Sequence, residues 1–186
     1  MDSDKLNIAL LVAYDKNRII GSDGKIPWSL TSERTRFKQV CHNKHIIMGR
    51  KSFEEIGRAL PYCTIVIVSK TMKNAPEGCL LADSIEKAIE YCVNAEKISD
   101  NATSTPTATA SIGKEILVAG GEEIYKQTLP FAKTIYATEI DASFPGDRHF
   151  PKLTGHWTKT VEANCEENFI KYSYVTYRRL SDQVRQ

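Results

Sequence analysis

Short, uninterrupted apolar runs recur along this chain, separated by stretches of helical spacing. Ile8 to Ala13, His45 to Met48, Thr64 to Val68 and Glu115 to Ala119 are four such runs, each bounded by Gly or polar residues. Runs of this length without alternation suit strands buried on both faces. Between them, Thr31 to His42, Ser52 to Ala59, Ser84 to Glu96 and Glu122 to Leu129 carry apolar residues three and four apart, the spacing of one helix face. The last third differs: Thr134 to Ile140, Trp157 to Ala163 and Phe169 to Arg178 are strand-like with no helix between them, and Ile170, Tyr172, Tyr174 and Thr176 alternate with a more polar set. The pattern predicts an α/β fold: a single, mainly parallel central sheet with helices on both faces and antiparallel C-terminal strands.

Residues 98–113 fit neither pattern. Their core, Ser99 to Ser111, is small and polar and cannot bury enough apolar surface to offset the entropy of ordering it, so a flexible surface loop is expected there. The elements on either side belong to one alternating series, and 186 residues suffice for one well-cored domain, so residues 1–186 are read as a single domain. With 41% apolar and 26% charged residues, the chain has an ordinary globular balance, which argues against disorder, a fibrous repeat or a membrane protein. A net charge of +2 gives no long-range field toward nucleic acid or an anionic membrane, although local clusters can still bind anions. The first apolar run is too short for a signal sequence or a spanning helix, so a cytoplasmic location is expected. Five cysteines with no C-x-x-C pair indicate neither a zinc site nor a disulfide set; reduced, mostly buried thiols and no metal are expected.

Candidate chemistry begins in the stretch from Asp15 to Trp28, where a strand enters a long Gly-containing loop ending in Ile26-Pro27-Trp28. Such a loop reads either as a mobile lid or as an ordinary surface connection. The helix that follows opens with Ser29 or Thr31 as its expected cap. Within it, Glu33 shares a face with Phe37 one turn on, so its carboxylate either faces a pocket or is solvated like most helical glutamates. Two strand-Gly-helix junctions follow, Met48-Gly49-Arg50-Lys51-Ser52 and Ala119-Gly120-Gly121-Glu122 running on to Tyr125. Open N–H groups at a helix start favour anions, and Arg50 and Lys51 strengthen that field. A pair of such junctions suggests a nucleotide diphosphate, although neither is the G-x-G-x-x-G fingerprint.

It is the ordered conjunction of these features that resembles a known family. Ile20-Gly21, Ile26-Pro27-Trp28, Glu33 with Phe37-Lys38, Met48 to Ser52, Ile56-Gly57-Arg58, Leu60-Pro61, Val68-Ser69, Gly120-Gly121 to Tyr125, Thr138, and Gly146-Asp147 before Phe150-Pro151 match the pattern of single-domain, bacterial-type dihydrofolate reductases over roughly residues 6–180, apart from the insert. The resemblance implies NADPH-dependent reduction of dihydrofolate, a monomer, and no nucleic-acid or membrane partner. It implies that Glu33 binds the pterin 2-amino group and N3, that Thr138 supports this carboxylate, and that Trp28 completes the catalytic group. Ala13, Ile20, Ile26, Phe37, Ile56 and Ala119 would surround the two reacting rings. Gly49, Arg50, Lys51, Ser52, Ser69, Lys70, Gly120, Gly121, Glu122 and Tyr125 would hold the cofactor, the cations favouring its 2′-phosphate. Asp147 matches the acidic residue that holds the lid loop closed.

One position departs from the family. Two residues after Pro61, where the family carries an arginine that clamps the folate glutamate, stands Cys63. A thiol does not replace a bidentate guanidinium, so the tail is expected to fall to Arg34, Lys38 or Arg58. The competing readings are a reductase of another pterin or of a riboflavin-pathway pyrimidine, and a non-catalytic ligand-binding module on the same fold.

Overall fold

The computed structural model describes residues 7–100 and 115–180. An eight-stranded sheet runs through them in the order β5-β4-β3-β6-β1-β7-β10-β9. Its strands are β1 (Ile8–Tyr14), β3 (His45–Gly49), β4 (Thr64–Val68), β5 (Cys79–Ala82), β6 (Ile116–Val118), β7 (Thr134–Ile140), β9 (Trp157–Glu167) and β10 (Ile170–Arg179). From β5 to β7 every pairing is parallel. Only β10 runs against the rest, pairing antiparallel with both β7 and β9. The C-terminal strands are antiparallel as the pattern predicts, with β7 at the junction, parallel to β1 with Leu10 opposite Ile135 and antiparallel to β10. A separate two-stranded ribbon joins β2 (Ile19–Gly21) to β8 (Arg148–His149).

The four α-helices among the described residues are α1 (Thr31–Cys41), α2 (Arg50–Ile56), α3 (Ile85–Asp100) and α4 (Glu122–Thr128). Helix α2 begins two residues before the sequence pattern places it and stops where Gly57 turns left-handed at φ 74. Helix α3 runs to Asp100, so residues 98–100 are helical rather than the start of a loop. The rest of that expected loop lies outside the described residues. The short strands β2 and β8 have too few residues to show an apolar run of their own, and β5, Cys79-Leu80-Leu81-Ala82, is a short apolar run that the pattern does not pick out.

Continuous apolar strands are buried because helices cover both sheet faces. Ile8, Leu10, Ile47, Val66 and Val118 pack toward α3 and α4, and Ala9, Leu11, Ile46, Met48, Ile65, Ile67 and Leu117 pack on the other face with Phe37, Cys41 and Phe53. Alternate residues of each strand thus serve different layers. The parallel strands point their C-terminal ends to one edge, where β4, β3, β6 and β1 lie side by side. In an open parallel sheet this edge is where loops form ligand crevices.

Candidate active site

The loops leaving that edge enclose a cavity of about 510 Å³. Ala13 lies on its wall at the end of β1; Ile20, Ile26 and Trp28 come from the loop that follows; α1 contributes Glu33, Arg34, Phe37 and Lys38. The opposite wall is built by Ser52 and Ile56 of α2, by Ala119, Gly120 and Gly121 at the end of β6, and by Tyr125 of α4. Sequence reasoning missed Glu55, Leu60 and Tyr62, which also line it. Glu55 and Tyr62 look like ordinary surface positions in the sequence, and only the packing of α2 and its following loop brings them, Glu55 exposed and Tyr62 half-buried, to the cavity wall.

Glu33 is the half-buried carboxylate of this cavity, among Phe37, Trp28 and Leu30. It makes no hydrogen bond or ion pair with a described residue. Burial pushes its carboxyl above the usual range, and the Arg36 and Arg34 guanidinium groups pull it back. A desolvated acceptor without a protein donor is costly unless a ligand supplies the donors. The other acidic lining residue, Glu55, is already engaged: its Oε1 accepts the Ile26 N–H at 2.8 Å.

Thr138 does not support Glu33 as the resemblance implies. It is fully buried in β7, and its Oγ1 accepts a hydrogen bond from Arg36 Nη1 at 3.2 Å. Arg36, one turn past Glu33 on α1, extends its guanidinium beneath the helix to the Ala137 carbonyl and the Thr138 hydroxyl of β7, so the described partner of Thr138 is this cation. Arg36 is a functional candidate that sequence reasoning missed, since a helical arginine reads as a solvated one.

Helix α1 owes its position to a distant residue. Its N-cap is Leu30, with no side-chain cap from α1 itself, so neither Ser29 nor Thr31 caps it. Instead Glu167, at the end of β9, accepts the N–H groups of Thr31 at 2.7 Å and Ser32 at 3.0 Å, and also the Ser32 hydroxyl. These bonds hold the Glu167 carboxyl down to about 2.

At the other end of the cavity, two strand-helix junctions meet. Gly49 N–H donates to Gly120 O at 2.8 Å, and the Gly120-Gly121 peptide is cis. A Cβ at Gly121 would come within 3.2 Å of Ser52 Oγ, so both backbones form an open surface that a side chain would fill. Gly49 is in register with Val68, so Arg50-Lys51-Ser52 and Ser69-Lys70 leave the sheet side by side. Of these, Ser52 alone lines the cavity. Arg50 pairs with Glu54, Ser69 Oγ accepts the N–H groups of Thr71 and Met72, and Lys51 and Lys70 are exposed. Glu122 faces away from the lining, bonded to Lys126 and the His149 N–H, and Arg58 is exposed outside the cavity.

The loop between β2 and α1 is tied at two points. Asp147 Oδ1 accepts the Asp23 N–H at 3.2 Å, and Glu55 holds Ile26 from the α2 side. Gly146 lets β8 approach: a Cβ there would lie 2.3 Å from Ile19 Cγ2 and 2.6 Å from Gly21 O, which no side chain tolerates. Ile26 itself stays 46% exposed at the cavity mouth.

The family model for dihydrofolate reductase matches residues 7–179. The chain belongs to the dihydrofolate reductase family. Among relatives in this family, the dihydrofolate reductase of Bacillus subtilis is 31% identical over 176 residues, covering 92% of this chain and 94% of that protein. That of Buchnera aphidicola is 38% identical over 175 residues, covering 91% and 96%. In fold, the chain is similar to dihydrofolate reductase from Enterococcus faecalis complexed with NADP(H) and RAB-propyl, with a TM-score of 0.74, 25% identity, and coverage of 94% of this chain and 97% of that one. No described helix is long and apolar enough to cross a membrane.

Proposed function

We infer that this dihydrofolate reductase family member reduces 7,8-dihydrofolate to tetrahydrofolate with NADPH, adding hydride at pterin C6 and a proton at N5. The observation that carries the reading is the Glu33 carboxylate, half-buried in an apolar cavity and without a donor from any described residue. A pterin offers that carboxylate the pair of N–H donors, 2-amino and N3, that a bidentate acceptor requires. The cavity continues from Glu33 to the Gly120-Gly121 surface, and that open backbone suits a dinucleotide phosphate. A bound reduced nicotinamide supplies the hydride.

The chain's own part is binding, orientation and exclusion of water. Glu33 orients the pterin, while Phe37, Ile20, Ile26 and Trp28 present apolar surface to the rings; Ala13, Ile56 and Ala119 fill the space around them. Gly49, Ser52, Gly120, Gly121 and Tyr125 border the cofactor, and Arg50, Lys51, Ser69, Lys70 and Glu122 stand at its outer rim, where the cations favour the 2′-phosphate. Thr138 serves through Arg36 rather than by touching Glu33. The loop tied by Asp147 and Glu55 closes the site against solvent.

The folate tail is assigned to Arg34 and Lys38, which line the cavity, in preference to Arg58, which does not. The protein is proposed to act as a cytoplasmic monomer built from a single domain, with small molecules rather than nucleic acid or membrane as its partners. The deciding experiment follows NADPH absorbance with purified protein. Oxidation that requires added dihydrofolate supports the reading, and the absence of dihydrofolate-dependent oxidation overturns it.

A further inference from the structure

Arg36 is 9% exposed and lies between α1 and the sheet. Its Nη1 donates to the Ala137 carbonyl at 3.3 Å and to Thr138 Oγ1 at 3.2 Å, and its Cζ sits 4.4 Å from the centroid of the Tyr174 ring. No ion pair to a described carboxylate accompanies these contacts. A desolvated guanidinium is expensive to keep and persists where nearby negative charge and hydrogen bonds compensate it. The compensating groups here are a carbonyl dipole, a hydroxyl and an aromatic face, together with the more distant carboxylates of Glu33 and Glu162. Glu162, in β9, already accepts the Thr176 hydroxyl. Of the two, Glu162 acts on Arg36 more strongly, and Glu33, three residues before Arg36 and on the same side of α1, is the one without a hydrogen bond to a described residue.

The charged and titratable groups facing Glu33 come from several elements. On α1 they are Arg34, Arg36, Lys38 and the Cys41 thiol; on α4, the Tyr125 phenol; on α2, Glu55; and before β4, the Tyr62 phenol. Burial holds the thiol and both phenols neutral. Arg34 and Lys38 are exposed, so water and salt screen them. Glu55 is exposed as well and holds Ile26. Arg36 is the buried cation of the set, and its field reaches Glu33 through protein rather than through solvent.

We propose that Arg36 is a positioning residue for the substrate site, a buried fixed cation, anchored on Thr138 and Ala137, that keeps the Glu33 carboxylate ionised for a ligand. This rests on the reading of Glu33 as the pterin-binding carboxylate. In this arrangement the threonine anchors the cation, and the cation acts on the carboxylate through space. The opposing shifts on Glu33, upward from burial and downward first from Arg36, agree with that geometry.

The test follows the Glu33 carboxyl directly, by the carbon-13 chemical shift of labelled glutamate in the ligand-free protein, assigned with Glu33→Gln. In Arg36→Met the apparent Glu33 pKa should rise by about one unit, the lower end of what a nearby opposite charge supplies. Arg36→Lys, which retains the charge, should recover most of that shift, and the pH profile of kcat/KM should move by the same amount. An Arg36→Met protein that folds with Glu33 titrating as in wild type overturns the proposal, as does an Arg36→Lys protein shifted as far as Arg36→Met.

Should Arg36→Met fail to fold, the wild-type protein still decides the matter. A Glu33 pKa governed by Arg36 moves little between about 0.1 M and about 1 M salt, whereas one governed by the exposed Arg34 and Lys38 rises as they are screened. A salt-driven rise of a full unit overturns the assignment. Wild-type protein without dihydrofolate-dependent NADPH oxidation would instead refute the functional reading, an outcome distinct from any change in the Glu33 titration.

Discussion

Glu167 grips the first turn of α1 across 135 residues of chain, accepting the Ser32 N–H at 3.0 Å and the Ser32 hydroxyl as well. Ser32 Oγ also meets the Tyr172 hydroxyl, so the start of the helix is fixed to both strands of one hairpin. Glu33 is the next residue, and its placement in the cavity depends on this contact.

Glu167→Ala should therefore lower Tm at neutral pH by about 2 to 4 °C, the scale of losing one helix cap in a domain of this size. The pH dependence has a definite sign. The folded carboxyl is held at about 2, below an unfolded value of roughly 4.3, so its contribution is complete above the unfolded value and is lost as pH falls toward the folded one. Thermal unfolding of wild type and variant should differ most above pH 5 and converge near pH 2.

Glu33→Gln should reduce kcat/KM for dihydrofolate by at least about 30-fold, close to 2 kcal/mol, because an amide puts a donor where the pterin needs an acceptor. Steady-state kinetics with saturating NADPH measures this. A variant within about threefold of wild type would remove Glu33 from the site.

Neutralising Arg50 and Lys70 together should narrow the preference for NADPH over NADH by about tenfold, mainly through cofactor KM. The motive is the shared exit of β3 and β4, which brings both cations to one rim. Arg50 must leave Glu54 to reach a phosphate, and an exposed i,i+4 pair is weak enough to exchange. Equal use of both cofactors by the wild type would show that these cations face only solvent.

Arg34→Ala should raise KM for dihydrofolate by up to about tenfold, with solvent exposure limiting the effect, and should spare a pterin that lacks the glutamate. Cys63→Arg should shrink that penalty, read as the coupling term of a double-mutant cycle. Strict additivity would return Arg34 to the surface.

The parallel half of the sheet was legible because strands buried on both faces read as unbroken apolar runs, as Thr64 to Val68 does with both ends correct. Glu33, Phe37 and the two glycine junctions were also legible as a spaced set, and the structure brings them to one cavity. What escaped was set by tertiary contact. The α1 cap comes from β9, so no local Ser or Thr signals it. Arg36 stands three residues after Glu33, but no sequence signal separates it from a solvated helical arginine, and only the proximity of Thr138 and Tyr174 accounts for its burial.

Among the strands of the described residues, β9 is joined to the sheet solely through β10, and β10 is the last in chain order. The hairpin must therefore dock as a unit, closing contacts of large sequence separation, and those close late in folding because the loop entropy comes before the reward. Glu167 sits beside its turn, so the helix that carries Glu33 acquires its anchor only when that hairpin arrives. Ligand binding during refolding should then recover no earlier than amide-exchange protection of β9 and β10, and earlier recovery would show that α1 is set without them. Synthesis of this chain thus leaves the Glu33 carboxylate waiting on Glu167, which follows it far along the chain.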